Sequence, residues 1–249
     1  MSGHSKWATI KHKKGAADKA RGKLWAKLIR QVEVAARSGG GDLDANPTLR
    51  TMVDKAKAAS VPNDTIDRAI KRATGDLEGV SYESATYEGY AADGVAVFVE
   101  ALTDNRNRTS ADVRHLFSKN GGSIAEPGAV AWQFERKGII AVERSVAEDD
   151  LMLSALDAGA EDIVDEGDSW RVTCEPTDLT AVRTALDDAK IGYTSADVTW
   201  LPKATVELST TEAAKRVLRL IDALDDHDDV QDVYANFDIP DDILQSVDA

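Results

Sequence analysis

The sequence predicts an α+β protein: a three-helix bundle at the N-terminus, then two ferredoxin-like α/β domains, one inserted in the other. Three observations carry this prediction. Apolar residues in the first 75 positions recur at helical spacing. Beyond residue 80, short apolar strands alternate with amphipathic helices. Charge is also divided unevenly along the chain. Residues 1–75 hold 16 Lys/Arg against 7 Asp/Glu, a balance of +9, whereas the remainder stands at −23 within a total of −14. A basic segment on an acidic body points to a polyanion-binding domain.

Residues 16–37 read as one amphipathic helix. At about 100° per residue, Lys19, Lys23, Lys27, Arg30 and Arg37 fall within an arc of about 80°. Ala17, Leu24, Trp25, Leu28, Val32 and Ala35 lie on the opposite side and are expected to pack. The run Gly39-Gly40-Gly41 ends the helix. A second helix starts at Asn46-Pro47, with Asn as cap and Pro in the first turn, and buries Leu49, Met52, Val53 and Ala56. A third opens at Pro62-Asn63-Asp64 and closes at Gly75. Its stripe is Ile66, Ala69, Ile70 and Ala73, with Arg68, Lys71 and Arg72 opposite.

Residues 95–102 are a strongly apolar strand, 108–120 a helix ended by Gly121-Gly122, and 130–134 a returning strand. Next comes a doubled strand–helix–strand pattern: 139–142, 149–158 and 162–165, then 170–174, 179–189 and 197–201. Two consecutive units of this size predict a ferredoxin-like sandwich. It is acidic, with 15 Asp/Glu against 4 Lys/Arg over 138–202. A strand at 205–208, a helix at 211–224 and a strand at 230–234 complete the chain. The two outer strand–helix–strand pieces are each half a sandwich, so they are expected to pair. The expected domains are 1–80, 81–136 with 204–249, and the insertion 137–203.

Composition narrows the function classes. The single cysteine, Cys174, permits no disulfide within the chain and fits a reducing cytoplasm; in its strand it reads as a small core residue. No apolar run approaches the roughly 18 residues of a membrane helix, and the basic N-terminus lacks the apolar core of a secretory signal. Catalytic signatures are absent. The four histidines, His4, His12, His115 and His227, form no zinc motif, and there is no nucleophile elbow. Gly15 and Gly22-Lys23 have the wrong spacing for a phosphate loop, and Leu24 stands where a magnesium-binding hydroxyl is needed. Acidic runs near 148–150, 161–168 and 225–229 lack calcium-loop spacing and are expected to be solvated surface. The chain is therefore expected to be a cytoplasmic non-enzyme without cofactor or metal and without a membrane partner; the sequence leaves the oligomeric state open, with a monomer favoured.

Two further features carry binding chemistry. Lys6, Trp7, Lys11, Lys13 and Lys14 form an arm of cations around one indole. The cations suit phosphates and Trp7 suits stacking on an unpaired base; Trp7 and Ile10 equally suit docking of the arm onto a neighbouring domain. The run Thr103-Asp104-Asn105-Arg106-Asn107-Arg108-Thr109 marks a strand-to-helix turn, with Thr109 or Asn107 as the expected cap. It sets Arg106 and Arg108 beside a helix N-terminus, where anions are favoured; a tight hydrogen-bonded turn explains it equally well. The candidate nucleic-acid-binding residues are thus Lys6, Trp7, Lys11, Lys13, Lys14, Lys19, Lys23, Lys27, Arg30, Arg68, Lys71, Arg72, Arg106 and Arg108.

The stretches GHSKWATIKHKKGAADKARGK, VPNDTIDRAIKRATG, YEGY at 87–90, TDNRNRT at 103–109 and DDVQDVYANFD at 228–238 closely resemble the YebC family. They are spread over almost the full length. The resemblance implies a helical bundle and two α/β domains, one interrupting the other. Members are described as probable transcriptional regulators that bind DNA, and a related branch, including a mitochondrial translational activator, works at the ribosome. DNA and ribosomal RNA are therefore both expected partners. The lysine-rich ridge favours phosphate contact over base reading and leans towards folded RNA or the ribosome; the family description pulls towards DNA. A third class, an acidic protein–protein adaptor, is compatible with either.

Overall fold

The computed structural model describes residues 17–75 and 81–248. Helices α1 (Ala17–Gly39), α2 (Pro47–Ala58) and α3 (Asn63–Ala73) bury Leu28, Val32, Leu49, Val53, Ile66 and Ala69 against one another. The link between α1 and α2 is built by Asn46. Its Oδ1 accepts from the Leu49 amide at 3.0 Å, and its Nδ2 donates to the Ala35 and Gly40 carbonyls at 2.9 and 2.8 Å. Gly39 is required there, because a Cβ would stand 2.6 Å from Asn46 Nδ2. Leu24 departs from the expected stripe and is 48% exposed. Its neighbour Trp25 does pack, and donates its indole N–H to the Ala59 carbonyl at 2.9 Å.

The first sheet has the order β3-β1-β2-β9, all antiparallel: β1 (Glu83–Tyr90), β2 (Ala96–Thr103), β3 (Ser123–Ile124) and β9 (Val230–Ala235). Helices α4 (Arg106–Lys119) and α7 (Thr211–Asp225) cover one face, burying Val113, Phe117, Val217, Leu220 and Leu224 on Val97 and Val99. The two outer pieces of sequence therefore do meet. The strand between β2 and β3 is β1, which sequence periodicity does not mark. The expected strand at 130–134 is instead a 3₁₀ turn over Ala131–Gln133. Its amides are claimed elsewhere. Glu88, only 6% exposed, accepts from the Gly128, Val130 and Ala131 amides at 2.7, 2.7 and 2.8 Å, so they cannot join a ladder.

The second sheet has the order β5-β6-β4-β7 from β4 (Phe134–Glu143), β5 (Ala160–Asp165), β6 (Ser169–Cys174) and β7 (Tyr193–Pro202), again antiparallel. With α5 (Glu148–Ala155) and α6 (Leu179–Asp188) on one face this is the ferredoxin-like β-α-β-β-α-β arrangement. The first sheet has the same spatial order, with β1 from the N-terminal side in the place that β6 holds in the second. Beyond β7, the short parallel pair β8 (Val206–Glu207) and β10 (Phe237–Asp238) and helix α8 (Asp241–Asp248) close the first layer. Phe98, Phe134 and Tyr234 cluster on the other face of the first sheet, and Trp200 from β7 packs edge-on to Phe98 at 5.3 Å between centroids, joining the two sheets.

We propose 1–80, 81–136 with 204–249, and 137–203 as the domain division, since each unit has its own buried cluster. The limit at 137 falls inside β4, whose first residue Phe134 packs with the first sheet.

The Glu88 carboxylate is the keystone of the 125–133 loop. Burial works to raise its pKa, but the three backbone N–H donors outweigh it and hold it below the usual range. Glu88→Ala orphans three amides. We expect a loss of about 2 kcal/mol in urea unfolding. An unchanged midpoint would mean the loop holds itself.

Candidate nucleic-acid interface

The basic ridge of α1 lies against an acidic turn that joins α7 to β9. A helix ends with unpaired carbonyls and the negative pole of its dipole, so cations belong there. Lys23 and Lys27 fill that role for α7. Lys23 Nζ donates to Asp226 O at 3.0 Å and Oδ1 at 2.7 Å; Lys27 Nζ donates to Asp225 O and Oδ1, both at 3.1 Å. One turn further on, the Arg30 guanidinium donates to the Asp228 carbonyl, stands 3.4 Å from Asp229 Oδ1 and lies over the Tyr82 ring, 5.3 Å from its centroid.

Asp229 is the inner anchor of this turn and is 3% exposed. Its Oδ2 accepts from Arg108 at 2.8 Å and the Thr109 hydroxyl at 2.7 Å, and lies 3.4 Å from Thr103 Oγ1. Burial works to raise its pKa, but Arg108, Thr109 and Arg30 hold it below the ordinary carboxylate value. Within the run 225–229, Asp226 and Asp228 are exposed as expected of solvated surface, whereas Asp229 is buried and Asp225 is partly covered by Lys27. Thr109 is a buried ligand of Asp229 rather than the helix cap. Asn105 is the cap, its side chain accepting from the Arg108 amide at 3.1 Å.

The candidate residues have separate fates. Lys23, Lys27 and Arg30 come together on the acidic turn. Arg108 pairs with Asp104 at 2.7 Å as well as Asp229, so it holds the turn. Arg72 pairs at 2.6 Å with the buried Glu33 of α1, whose pKa is raised by burial against the opposing charges of Arg72, Arg37 and Arg30. Arg68 and Lys71 are exposed on α3 without an ion pair among the described residues. Arg106 sits on a separate groove with a loose 3.7 Å contact to Glu83. Lys6, Trp7, Lys11, Lys13 and Lys14 lie outside the described residues, as does the side chain of Lys19. Tyr82 and the carboxylates of 225–229 belong to the site and were not singled out in the sequence as binding residues. Cys174 is buried, its thiol 3.7 Å from the Gly138 carbonyl and its pKa raised by that burial. Among the described residues no helix is long and apolar enough to cross a membrane.

A family model described as the TACO1/YebC protein N-terminal domain matches residues 5–76, and one described as the TACO1/YebC second and third domain matches residues 82–237. The chain belongs to the YebC family. Among YebC relatives, a "probable transcriptional regulatory protein" of Syntrophobacter fumaroxidans is 53% identical over 99% of this chain and 100% of its own length. Proteins of the same description from Mycobacterium sp. (strain KMS) and Streptomyces coelicolor are 56% and 55% identical, covering 98% and 100% of this chain and the same shares of their own. The crystal structure of a conserved hypothetical protein from Aquifex aeolicus matches with a TM-score of 0.82 at 45% identity, over 92% of this chain and 94% of that one. The YebC family thus has the α+β architecture described above.

Proposed function

We propose that this YebC-family chain is a non-enzymatic, cytoplasmic regulator of gene expression of the transcriptional type, which binds nucleic acid through its basic N-terminal domain. One observation carries the reading: Lys23, Lys27 and Arg30 grip a run of anionic and carbonyl oxygens laid along one face of α1. A phosphate backbone offers the same ligand, a line of oxygen acceptors with negative charge. The ridge is therefore a polyanion-binding face, and the turn 225–229 is its resident competitor. Nucleic acid entering the ridge displaces that turn, while Arg68, Lys71 and the arm lysines supply first contact.

Duplex DNA is the target that the relatives' names favour. A second reading, folded RNA or the ribosome, is supported by the ridge itself. Lysine is a point charge without the bidentate fork that reads guanine, so the face holds phosphates rather than sequence. The test runs a randomised-duplex selection beside a ribosome sedimentation gradient on the full chain. We expect binding that falls steeply with salt, by a slope of about −0.9 per phosphate neutralised on duplex DNA. Lys13→Glu/Lys14→Glu should weaken it severalfold on either target. Absence of any binding at low salt would overturn the reading. A defined duplex motif without ribosome association would eliminate the RNA version.

A further inference from the structure

A second groove lies on the first sheet, away from the ridge. It is bounded on one side by α4 and on the other by Thr86 and Tyr87 of β1 and the segment 124–127, and encloses about 380 Å³. That volume falls within the range of ligand-sized sites. From α4 come Arg106, Asn107, Ser110 and Arg114. At about 100° per residue these four fall within an arc of about 100°, so one helix face presents them together. The opposite wall is fixed, because Glu88 pins the Gly128, Val130 and Ala131 amides directly behind Glu126 and Pro127.

The lining is rich in donors. Asn107, Ser110, Arg114, Thr86 and Tyr87 make no side-chain hydrogen bond or ion pair with other described residues, and Arg106 has only its loose, largely exposed contact with Glu83. Exposed pairs of that kind contribute roughly 0–1 kcal/mol, so Arg106 is easily drawn away. Two carboxylates also line the groove. The Glu88 carboxylate is taken up by its three amides, which leaves Glu126 as the competing acceptor. Arg106 and Arg114 can only donate, and the Asn107, Ser110, Thr86 and Tyr87 side chains can donate beside them, so the groove favours a ligand rich in acceptors. Phosphate is such a ligand, and arginine engages its oxygens with a matching fork. Tyr87, half-buried against the first core, and the exposed Pro127 add apolar surface to the same groove, which suits contact with a base.

We propose that this groove binds a phosphodiester segment of single-stranded nucleic acid, with Arg106 and Arg114 on its phosphates. The inference rests on the nucleic-acid reading above and adds a second contact surface to it. Arg106 and Arg108 share the first turn of α4. Arg108 lines the cleft beside Arg30, and Arg106 lines the groove. The two side chains project about 200° apart, so cleft and groove flank the start of α4 on opposite sides, and a strand leaving the ridge reaches the groove by passing over that helix end.

The test uses the full chain and fluorescence anisotropy with a single-stranded ten-nucleotide RNA, with AMP and inorganic phosphate as separate competitors. Arg106→Gln/Arg114→Gln should lower affinity about tenfold, and the salt slope should flatten by about 0.7 for each phosphate that the single strand no longer has neutralised. Glu126→Gln should raise affinity two- to threefold by removing the competing carboxylate. Circular dichroism should show both variants folded, and Asn107→Ala/Ser110→Ala offers a charge-neutral check with a smaller loss of affinity. Wild-type affinity and salt slope in the double arginine variant would overturn the groove while leaving the ridge reading intact. So would AMP binding that the variant abolishes with the RNA affinity unchanged. Failure of the wild-type chain to bind the RNA at any salt would remove both readings together.

Discussion

Asp225→Lys/Asp226→Lys is expected to make the full chain bind nucleic acid about tenfold more tightly. The two carboxylates hold Lys27 and Lys23 at 3.1 and 2.7 Å, and the Lys27–Asp225 pair is largely shielded, with side chains 15% and 24% exposed. Ion pairs near a surface contribute roughly 0.2–1 kcal/mol each, and the substituted lysines add repulsion where attraction stood. Together this releases between about 1 and 2 kcal/mol of competition, a factor of roughly five to thirty in apparent affinity. The substitutions also add four units of positive charge, which alone improves binding at low salt. Asp149→Lys/Asp150→Lys at the start of α5 makes the same change on the second sheet and serves as the control. Binding should be measured for both at about 150 mM salt, where the Debye length is about 8 Å and distant charge is screened. Equal gains in the two variants would sink the competition between turn and nucleic acid.

The ridge was legible in the sequence because helical periodicity is local: residues three and four apart must share a face. Its occupation was not. Lys23 and Asp226 are 203 positions apart, and nothing in either segment's periodicity specifies their meeting. The helix ends were equally legible. Asn46-Pro47 carries its own cap and first-turn residue, and the structure uses both. The inserted sandwich could be read from its doubled strand–helix–strand pattern. Strand β1 was hidden because its inward positions are atypical. Glu88 is charged, and Gly89 is held to a hydrogen side chain by Phe117, whose Cε1 would stand 2.6 Å from a Cβ. Both exceptions come from tertiary neighbours, the 125–133 loop and α4. The second groove needs the same β1, so Arg106 could be read from the sequence as a candidate contact, but its meeting with Arg114 and the segment 124–127 could not.

Asp229→Ala is expected to cost about 3 kcal/mol of folding stability, the largest loss from any single polar side chain of the interface. The carboxylate serves Arg108, Thr109 and Arg30 at once, and Thr103 lies beside it. Arg108 is half-exposed and can turn to water, but Thr103 and Thr109 are fully buried and would be left with only each other and the Asn105 backbone. Asp104→Asn makes the contrast. It removes the other partner of Arg108 at a more exposed position and should cost less than about 1 kcal/mol. The pH dependence follows from the sign of the shift. The folded pKa of Asp229 is depressed, so its contribution is complete above the unfolded value of about 3.9 and is lost as pH falls through the folded value. The gap between wild type and Asp229→Asn in urea midpoints should therefore be constant from about pH 5 to 7 and close towards pH 2 to 3. A gap that persists unchanged into acid would show that the side chain's volume and neutral hydrogen bonds hold the turn, rather than its charge. Because the same turn covers the ridge, Asp229→Asn should also raise nucleic-acid affinity at neutral pH, by less than Asp225→Lys/Asp226→Lys does, since it loosens Arg30, which keeps the Asp228 carbonyl and the Tyr82 ring, and leaves the two lysine contacts in place.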